Sequence, residues 1–422
     1  MSAQAVLDYI HANWSRSVYR DSPGTGFGGV DLPHPYTSPC IKGEGHFHFF
    51  FYWDTYFTNL GLLRSGLADV ARDNIRNMLW LIDRHGFMPN HVGLENRSQP
   101  PYLARMVRDY VAATGDRAFL REAAPRLRQE YHFWTTARRR PLGLEGHGHQ
   151  ASSAEAAKFY DQTLPGRLGL SADVSFAEKA RVGGHHLAEA ETGWDFNPRF
   201  DRRCLDHVAV DLAALLHDYE TLFLEIGPEL GWDDAELWRT RAQRRRDLVG
   251  RHLWCDERGW FLDYDCAHER RGPVRSLAGL LPLFTGLATP GQAARIAAGL
   301  SDFEREHGIA VTPATDAGAR GYQWAYPNVW PPLVYVTVEG LRRYGHVAHA
   351  RRIAEKFVAT TVRLHARTGR LWEKTNAETG EVAGGEYQAA AMLGWTAGVF
   401  IALHAWLNGK EPDAPRTGSA RA

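Results

Sequence analysis

Two carboxylates of the sequence stand beside tryptophans, in segments where they could act as an acid and a base. Asp195 lies in Gly-Trp-Asp-Phe and Glu373 in Leu-Trp-Glu-Lys. Hydrolysis of a glycosidic bond needs two such carboxyls, one on each side of the bond. Flanking aromatic rings desolvate a carboxyl and raise its pKa, which favours Asp195 as the acid. The adjacent Lys374 favours the ionised form that a base needs, and Glu386 is a third candidate.

Both carboxylates belong to a set of five segments that mix aromatic residues with carboxylates, amides or both. These segments are 49–57, 86–102, 190–200, 322–332 and 371–387. Aromatic rings cover the C–H faces of a sugar, while carboxylates, amides and arginines bind its hydroxyls. A single Trp-Asp pair is more often structural than catalytic, and Asp54 is equally placed to cap a helix. The five segments together favour a carbohydrate site.

Other motifs carry less weight. Residues 24–29 contain GxGxxG, but they neither follow a strand nor open a helix, so a dinucleotide site is not predicted. The histidine-rich segments 46–48, 147–149 and 185–186 come without HExxH or zinc-finger spacing, and no metal or other cofactor is expected. The basic segment 239–247 is interpreted as a solvated helix face rather than an anion site.

Composition excludes several classes of partner. The 422 residues carry 49 Lys and Arg against 49 Asp and Glu, so a nucleic-acid or membrane-surface partner is not expected. Four cysteines without a CxxC pair are too few for a disulfide scaffold. No apolar run approaches about 18 residues, and the N-terminus lacks the features of a signal peptide. The sequence therefore predicts a soluble cytoplasmic protein, expected to be a monomer, in which the 14 tryptophans could line a ligand site.

The elements that would position these segments are helices. In 346–369, the residues Ile353, Phe357, Thr361 and Leu364 repeat at the spacing of one helix face. Similar patterns predict helices at 66–86, 100–115, 117–138, 205–226, 234–254, 290–307, 329–345 and 394–408. We expect about ten to twelve helices in antiparallel pairs.

A weak internal repeat supports the pairing. A charged residue, one further residue, a glycine and a short apolar stretch recur at 84–91, 257–265, 306–314 and 367–374, as if each glycine ended a helix. Such a repeat indicates a toroid of helical hairpins. We therefore predict an all-α fold, an (α/α)6 barrel with long loops on its active-site face.

The barrel is expected to form a single catalytic domain over 1–409, followed by a disordered tail at 410–422. Residues 18–50 are rich in Gly, Pro, His and Phe, and we expect loops there. Residues 142–200 are also interpreted as loop, with one helix at 152–163. Long loops at one end of a toroid usually build its binding face.

From about Leu32 to Trp395 the segments resemble, in order, those of the trehalase family of glycoside hydrolases. The resemblance rests on LPHPYTSP (32–39), FYWDTYF (51–57), PNHVGLENRSQPP (89–101), ETGWDF (191–196), QWAYPNVWPP (323–332), WEK (372–374), GGEY (384–387) and GWT (394–396). It implies an (α/α)6 barrel and an inverting reaction, with the general acid at Asp195 and the general base at Glu373.

The sequence departs from the family pattern at several positions. GEGHF (43–47) stands where the family has Pro-Gly-Gly-Arg-Phe, so His46 replaces a sugar-contacting arginine. Ala325 replaces an aspartate, and the glycine run before GEY is shortened to two. Residues 142–165 show no clear match to the family's second arginine loop. The resemblance thus implies the reaction type more firmly than the identity of the sugar.

The sequence predicts an inverting glycosidase that acts on a small neutral α-linked glucoside, most closely an α,α-trehalase. The expected catalytic pair is Asp195 and Glu373. The expected substrate-binding residues are His46, Phe47, Trp53, Asp54, Asn90, Arg97, Gln99, Trp194, Gln323, Trp324, Asn328 and Glu386. The alternatives are a hydrolase of the same clan that cleaves another α-glycoside (a glucosidase or a mannosylglycerate-type enzyme), a polysaccharide lyase, and a non-catalytic sugar-binding protein.

Overall fold

A computed structural model of the chain describes residues 2–20, 31–318, 321–384 and 387–410. Its helices are α1 (Ala3–Asn13), α2 (Tyr52–Arg64), α3 (Ala68–His85), α4 (Leu103–Thr114), α5 (Arg117–Ala137), α6 (Ser153–Leu168), α7 (Phe176–Glu191), α8 (Val210–Ile226), α9 (Ala235–His252), α10 (Leu281–Phe284), α11 (Pro290–Gly299), α12 (Pro331–Arg343), α13 (Val347–Thr368) and α14 (Gly394–Leu407).

The strands are all two residues long. They are β1 (Val18–Tyr19), β2 (Tyr36–Thr37), β3 (His207–Val208), β4 (Trp254–Cys255), β5 (Trp260–Phe261), β6 (Tyr264–Asp265), β7 (Arg270–Arg271), β8 (Glu304–Arg305), β9 (Gly308–Ile309), β10 (Asn328–Val329) and β11 (Thr375–Asn376). They pair antiparallel, and β10 with β11 joins two of the segments that the sequence assigned to the site.

Six helices form a closed inner ring. Each of α2, α4, α8, α10, α12 and α14 contacts the next, and α14 returns to α2. Outer helices pack against this ring, with α3 on α2 and α4, α9 on α8, and α13 on α12 and α14. The predicted all-α (α/α)6 architecture is confirmed.

Two glycines allow the first and last inner helices to meet. A Cβ on Gly398 of α14 would lie 1.8 Å from the carbonyl oxygen of Phe57, and one on Gly61 of α2 would lie 2.8 Å from the Cα of Gly398. Real Cβ atoms do not approach other atoms that closely. The backbones of α2 and α14 therefore touch, and this contact closes the ring.

The prediction for 142–200 was wrong in part, because the region contains a helical hairpin, α6 and α7, inserted between α5 and α8. Helix α6 begins at a capping box between Ser152 and Glu155. The Gly183-Gly184 pair in α7 made this sequence look like a loop. A Cβ on Gly183 would lie 2.0 Å from the carbonyl oxygen of Ala156 in α6, so the glycine permits close packing of the two helices.

The repeated glycines have two different roles. Gly86 and Gly369 end α3 and α13 in left-handed conformations, as predicted. Gly259 and Gly308 instead lie at the turns of the short hairpins β4–β5 and β8–β9, so the repeat is only partly a helix-ending signal. The predicted helix 290–307 stops at Gly299 in the structure.

Helix α2 begins at Tyr52, and Phe51 is its N-cap. Asp54 is therefore inside the first turn rather than at the cap. None of the described helices is long and apolar enough to cross a membrane. The GxGxxG-like segment at 24–29 and the tail from residue 411 onward lie outside the described residues.

Candidate active site

Five tryptophans from four separated segments form one aromatic cluster at an end of the inner ring. Trp324 stacks on Trp330 with ring centroids 3.7 Å apart, and Trp194 stacks on the ring of Trp324 at 5.6 Å. Trp53 lies 5.7 Å from Trp324 and 5.9 Å from Trp395. The cluster fixes the relative positions of the loops that carry the candidate carboxylates.

A cavity of about 280 Å³ opens over this cluster. Eight of the predicted site residues line it: His46, Phe47, Trp53, Asp54, Gln99, Asp195, Trp324 and Glu373. Seven further lining residues were absent from the predicted set: Phe51, Arg167, Gly193, Trp330, Tyr387, Met392 and Trp395. Both predicted catalytic carboxylates and Asp54 thus face one space.

Glu373 is buried and held at both carboxylate oxygens. The hydroxyl of Tyr387 donates to Oε1 at 2.6 Å, and the backbone N–H of Ala390 donates to Oε2 at 3.3 Å. The pKa of Glu373 is raised, because the effect of burial exceeds that of the Lys374 charge and of these two hydrogen bonds, which lower it. The hydrogen bonds and the lysine favour the ionised form of the buried carboxylate.

Asp195 lies at the more open side of the cavity, with its side chain 38% exposed. Its aromatic neighbours do not cover it as expected, since Trp194 stacks on Trp324 and Phe196 packs with Tyr160 and other apolar residues of α6. Arg167 of α6 covers it instead, with Nη1 3.4 Å from Oδ2. The proposed acid is therefore held by a cation rather than desolvated by rings.

Asp54 is the most strongly perturbed carboxyl in the cavity. It is buried in the first turn of α2, and desolvation raises its pKa to about 8, with Glu373 and Asp195 adding to the effect. At neutral pH its carboxyl is therefore mostly protonated. In that form it offers a sugar hydroxyl both a donor and an acceptor.

Gln323 connects the two catalytic segments instead of facing the cavity. Its Nε2 donates to the backbone carbonyl of Asp195 at 2.9 Å, and its Oε1 accepts from Nζ of Lys374 at 3.2 Å. Its own carbonyl accepts from the side chains of Asn328 and Trp330, both at 2.9 Å. Gln323 and Asn328 are therefore parts of the scaffold that sets the distance between Asp195 and Glu373.

Three other predicted contacts do not line the cavity. Asn90 donates from Nδ2 to the carbonyl of Ser98, within its own loop. Trp194 lies behind Trp324. Burial lowers the pKa of Arg97 to about 10, and the nearby charge of Asp195 opposes this lowering. The remaining candidate, Glu386, lies outside the described residues.

Arg167 is the charged lining residue that the sequence did not predict. No arginine matching the family's second loop was found in 142–165, and Arg167 follows two residues later, in the last turn of α6. Gly169, which ends α6 in a left-handed conformation, is the signal that would have extended the predicted helix past Arg167. Which way the side chain points depends on how α6 packs on α7.

Histidines of two of the histidine-rich segments lie beside carboxylates. His147 is buried 3.6 Å from Glu191 and 3.9 Å from Asp211, and Nδ1 of His186 is 2.9 Å from Glu189. Within the part of the chain that the structure describes, no group of three or more His, Cys, Asp or Glu side chains is arranged to hold a metal ion.

Comparison with known proteins assigns the chain to a family. A sequence model of the trehalase family matches residues 3–408. A periplasmic trehalase of Pseudomonas aeruginosa is 35% identical over 400 residues, which cover 89% of this chain and 71% of that protein. A periplasmic trehalase of Xanthomonas oryzae pv. oryzae is 32% identical, with 94% of this chain and 73% of that protein covered.

Solved structures show the same fold at lower identity. Neutral trehalase from Saccharomyces cerevisiae aligns with a TM-score of 0.78 and 22% identity, over 97% of this chain and 80% of that one. A GH63 mannosylglycerate hydrolase from Thermus thermophilus aligns with a TM-score of 0.66 and 18% identity, over 95% of this chain and 99% of that one.

These relatives also correct one prediction. The cytoplasmic location predicted from the N-terminal sequence was wrong, because curated relatives that are 30–35% identical to this chain are named periplasmic trehalases. The predicted enzyme class is confirmed by the family match and by the same relatives. The chain belongs to the trehalase family and is a trehalase-like glycoside hydrolase.

Proposed function

We propose that the enzyme hydrolyses α,α-trehalose to two glucose molecules with inversion at the attacked anomeric carbon. The observation that carries this proposal is that Asp195 and Glu373 line one cavity whose wall is formed by tryptophans. Such a cavity suits a neutral sugar, because rings cover its C–H faces and carboxyls bind its hydroxyls. The names of the relatives support trehalose as that sugar.

In the proposed reaction, Asp195 gives its proton to the glycosidic oxygen as the bond to the anomeric carbon breaks. Arg167, 3.4 Å from Asp195, orients this carboxyl toward the leaving oxygen. Glu373 takes a proton from the water that attacks the opposite face of the same carbon. An inverting mechanism requires about 6.5–9.5 Å between the two carboxyls, which leaves room for that water.

The remaining groups would bind the substrate. Asp54 and Gln99 are placed to contact hydroxyls, and Trp53 and Trp324 to cover a ring face. His46, which stands where the family has an arginine, lies at the exposed rim and packs on Phe47 with centroids 4.2 Å apart. Arg167 supplies a positive charge inside the cavity that compensates for the missing arginine.

The test combines two variants with the stereochemistry of the product. Asp195→Asn and Glu373→Gln should each lower kcat on trehalose by at least about a hundredfold, while trehalose still raises Tm. Asp69→Asn, which changes an exposed aspartate of α3, is the matched control and should keep full activity. Near-normal turnover in either site variant would refute the assigned roles.

Proton NMR during the first turnovers identifies the mechanism. Inversion releases one α- and one β-glucose from each trehalose. The configuration inverts at the attacked anomeric carbon, and the leaving glucose keeps its α configuration. Release of α-glucose alone would refute inversion. A panel with other α-glucosides and mannosylglycerate tests the substrate, and a kcat/KM for any of them above that for trehalose would refute the substrate assignment.

We also propose a periplasmic location, which rests on the relatives. Fractionation of the native host with an antibody to the enzyme tests it. Recovery with the cytoplasmic markers would refute it.

A further inference from the structure

A second and larger cavity, of about 500 Å³, lies between α5, α9 and the turn at 143–145, and it shares no lining residue with the site above. Its lining includes five arginines: Arg128, Arg139, Arg241, Arg244 and Arg245. Glu145 and Glu220 are the carboxylates of the lining, so the cavity carries a net charge of +3. Three of these arginines belong to the segment 239–247, which the sequence alone predicts to be a solvated helix face.

Not all of this charge is neutralised within the protein. Buried Arg245 pairs with both glutamates, with Nη1 2.5 Å from Glu145 and Nη2 2.9 Å from Glu220. Arg128 pairs with Asp234 at 2.9 Å. With Asp234 counted, five arginines face three carboxylates, which leaves a net charge of +2. The arginines outside these pairs are Arg139, Arg241 and Arg244.

Two of the remaining guanidiniums converge on one glycine. A Cβ placed on Gly143 would lie 3.3 Å from Nη2 of Arg244 and 3.6 Å from Nη2 of Arg139. Arg139 has a distant partner, 3.7 Å away in Glu145, and no described carboxylate lies within 4.0 Å of Arg244. Two cations directed at the same space repel each other unless an anion lies between them.

The wall of the cavity also holds buried polar atoms without partners. The indole N–H of Trp238, a residue only 4% exposed, has no hydrogen-bond partner among the described residues, and neither has Oε1 of Glu145. A buried donor or acceptor left without a partner costs about 1–3 kcal/mol. Neither atom is exposed to the cavity, so both belong to its wall and not to its ligand contacts.

We propose that this cavity binds a phosphorylated small molecule. The guanidiniums of Arg139 and Arg244 would hold the phosphate through charge-assisted hydrogen bonds, and Arg241 adds a third charge at the rim. The volume falls within the roughly 300–1,000 Å³ of small-molecule sites and exceeds what a bare phosphate fills. The volume left beside a phosphate favours an ester such as a sugar phosphate or a nucleotide.

Isothermal titration at constant ionic strength tests the proposal with three probes: inorganic phosphate, glucose 6-phosphate and AMP. We expect saturable binding of at least one ester, with a Kd at least tenfold below that of inorganic phosphate. The double variant Arg139→Gln/Arg244→Gln should weaken that binding at least tenfold.

Arg251→Gln is the matched control, because it removes one exposed arginine from the same helix α9 outside the cavity. It should bind the ester as the wild-type enzyme does. All variants should keep wild-type trehalose hydrolysis without the probe, which also shows that they fold. Absence of saturable binding for both esters, equal affinity for inorganic phosphate, or an equal loss in Arg251→Gln would overturn the proposal.

Discussion

The hydroxyl of Tyr387 donates a hydrogen bond of 2.6 Å to Oε1 of Glu373. The same tyrosine ring lies 3.8 Å from Nζ of Lys374, so one side chain contacts both the carboxylate and the cation beside it. Because the carboxylate is buried, its ionised form depends on these contacts. Tyr387 therefore positions Glu373 and helps to keep it charged.

Removal of this hydroxyl should raise the pKa of Glu373. A hydrogen bond to a charged group contributes about 1.5–3 kcal/mol, so kcat of Tyr387→Phe should fall roughly ten- to a hundredfold. The acidic limb of the kcat/KM profile should move to higher pH, because the carboxylate protonates more easily. Tyr110→Phe, which removes a tyrosine–aspartate hydrogen bond outside the cavity, is the control. An unmoved acidic limb in Tyr387→Phe would contradict this role.

Arg167→Gln should lower kcat on trehalose about tenfold or more by removing the cation that orients Asp195. Arg167→Lys should recover part of the activity, since it restores the charge without the planar fork. The contrast between the two variants separates a role of charge from a role in packing on Phe196, whose ring lies 4.1 Å from the guanidinium. Steady-state kinetics measure both.

The control for Arg167 is Arg181→Gln, which breaks an exposed ion pair with Glu178 in the neighbouring helix α7. It should leave kcat and KM unchanged. Full activity of Arg167→Gln would show that Arg167 is only a neighbour of the site.

Asp54 should make stability depend on pH. Its folded-state pKa of about 8 lies above the unfolded value of about 3.9. Between these values the folded state holds a proton that the unfolded state has lost. Its contribution to the free energy of unfolding is therefore present at pH 4 and is lost as pH rises toward 8, by about 1.4 kcal/mol per pH unit.

Asp54→Asn mimics the protonated side chain and removes this dependence. In urea unfolding at pH 5, 6, 7 and 8, the free energy of unfolding of the variant should rise relative to that of the wild-type enzyme at each step. For Asp69→Asn, at the surface of α3, the difference in free energy of unfolding from the wild-type enzyme should be the same at every pH. Parallel curves for Asp54→Asn and the wild-type enzyme would contradict the raised pKa.

The packing of the α6–α7 hairpin depends on Gly183. Gly183→Ala should destabilise the enzyme by about 1–3 kcal/mol, because the new methyl group overlaps the carbonyl of Ala156. It should also lower activity, since α6 carries Arg167 into the cavity. Gly166→Ala in α6, the other helix of the hairpin, meets no atom within 4 Å and should stabilise the enzyme by about 0.5–1 kcal/mol. Thermal unfolding and trehalose hydrolysis distinguish the two outcomes.

Helical spacing and a few motifs predicted the barrel and much of the cavity. Asp195, Glu373, Trp53 and Trp324 all line the cavity. Trp53 lies in the first turn of α2, Trp324 precedes α12, and Asp195 and Glu373 follow α7 and α13. These positions follow from the order of the helices along the chain, and the spacing of apolar residues predicts that order.

What the sequence did not predict depends on side-chain direction. Gln323 and Asn328 have the right types for binding hydroxyls, yet their side chains hydrogen-bond backbone groups of the loops around them. Helix α7 was missed because Gly183 and Gly184 are typical of loops, and only the proximity of Ala156 explains them. Arg167 reaches the cavity because this hairpin packs closely, so it was missed for the same reason.

The glycine contact between Gly61 and Gly398 also bears on the order of folding. It joins the first inner helix to the last, so the ring cannot close before α14 has been synthesised. Until then α2, whose residues 52–62 are buried in the finished ring, has an uncovered apolar flank. Contacts between residues so distant in sequence slow folding, and exposed apolar surface promotes aggregation. Nascent chains of this enzyme should therefore depend on chaperones until their last helix is made.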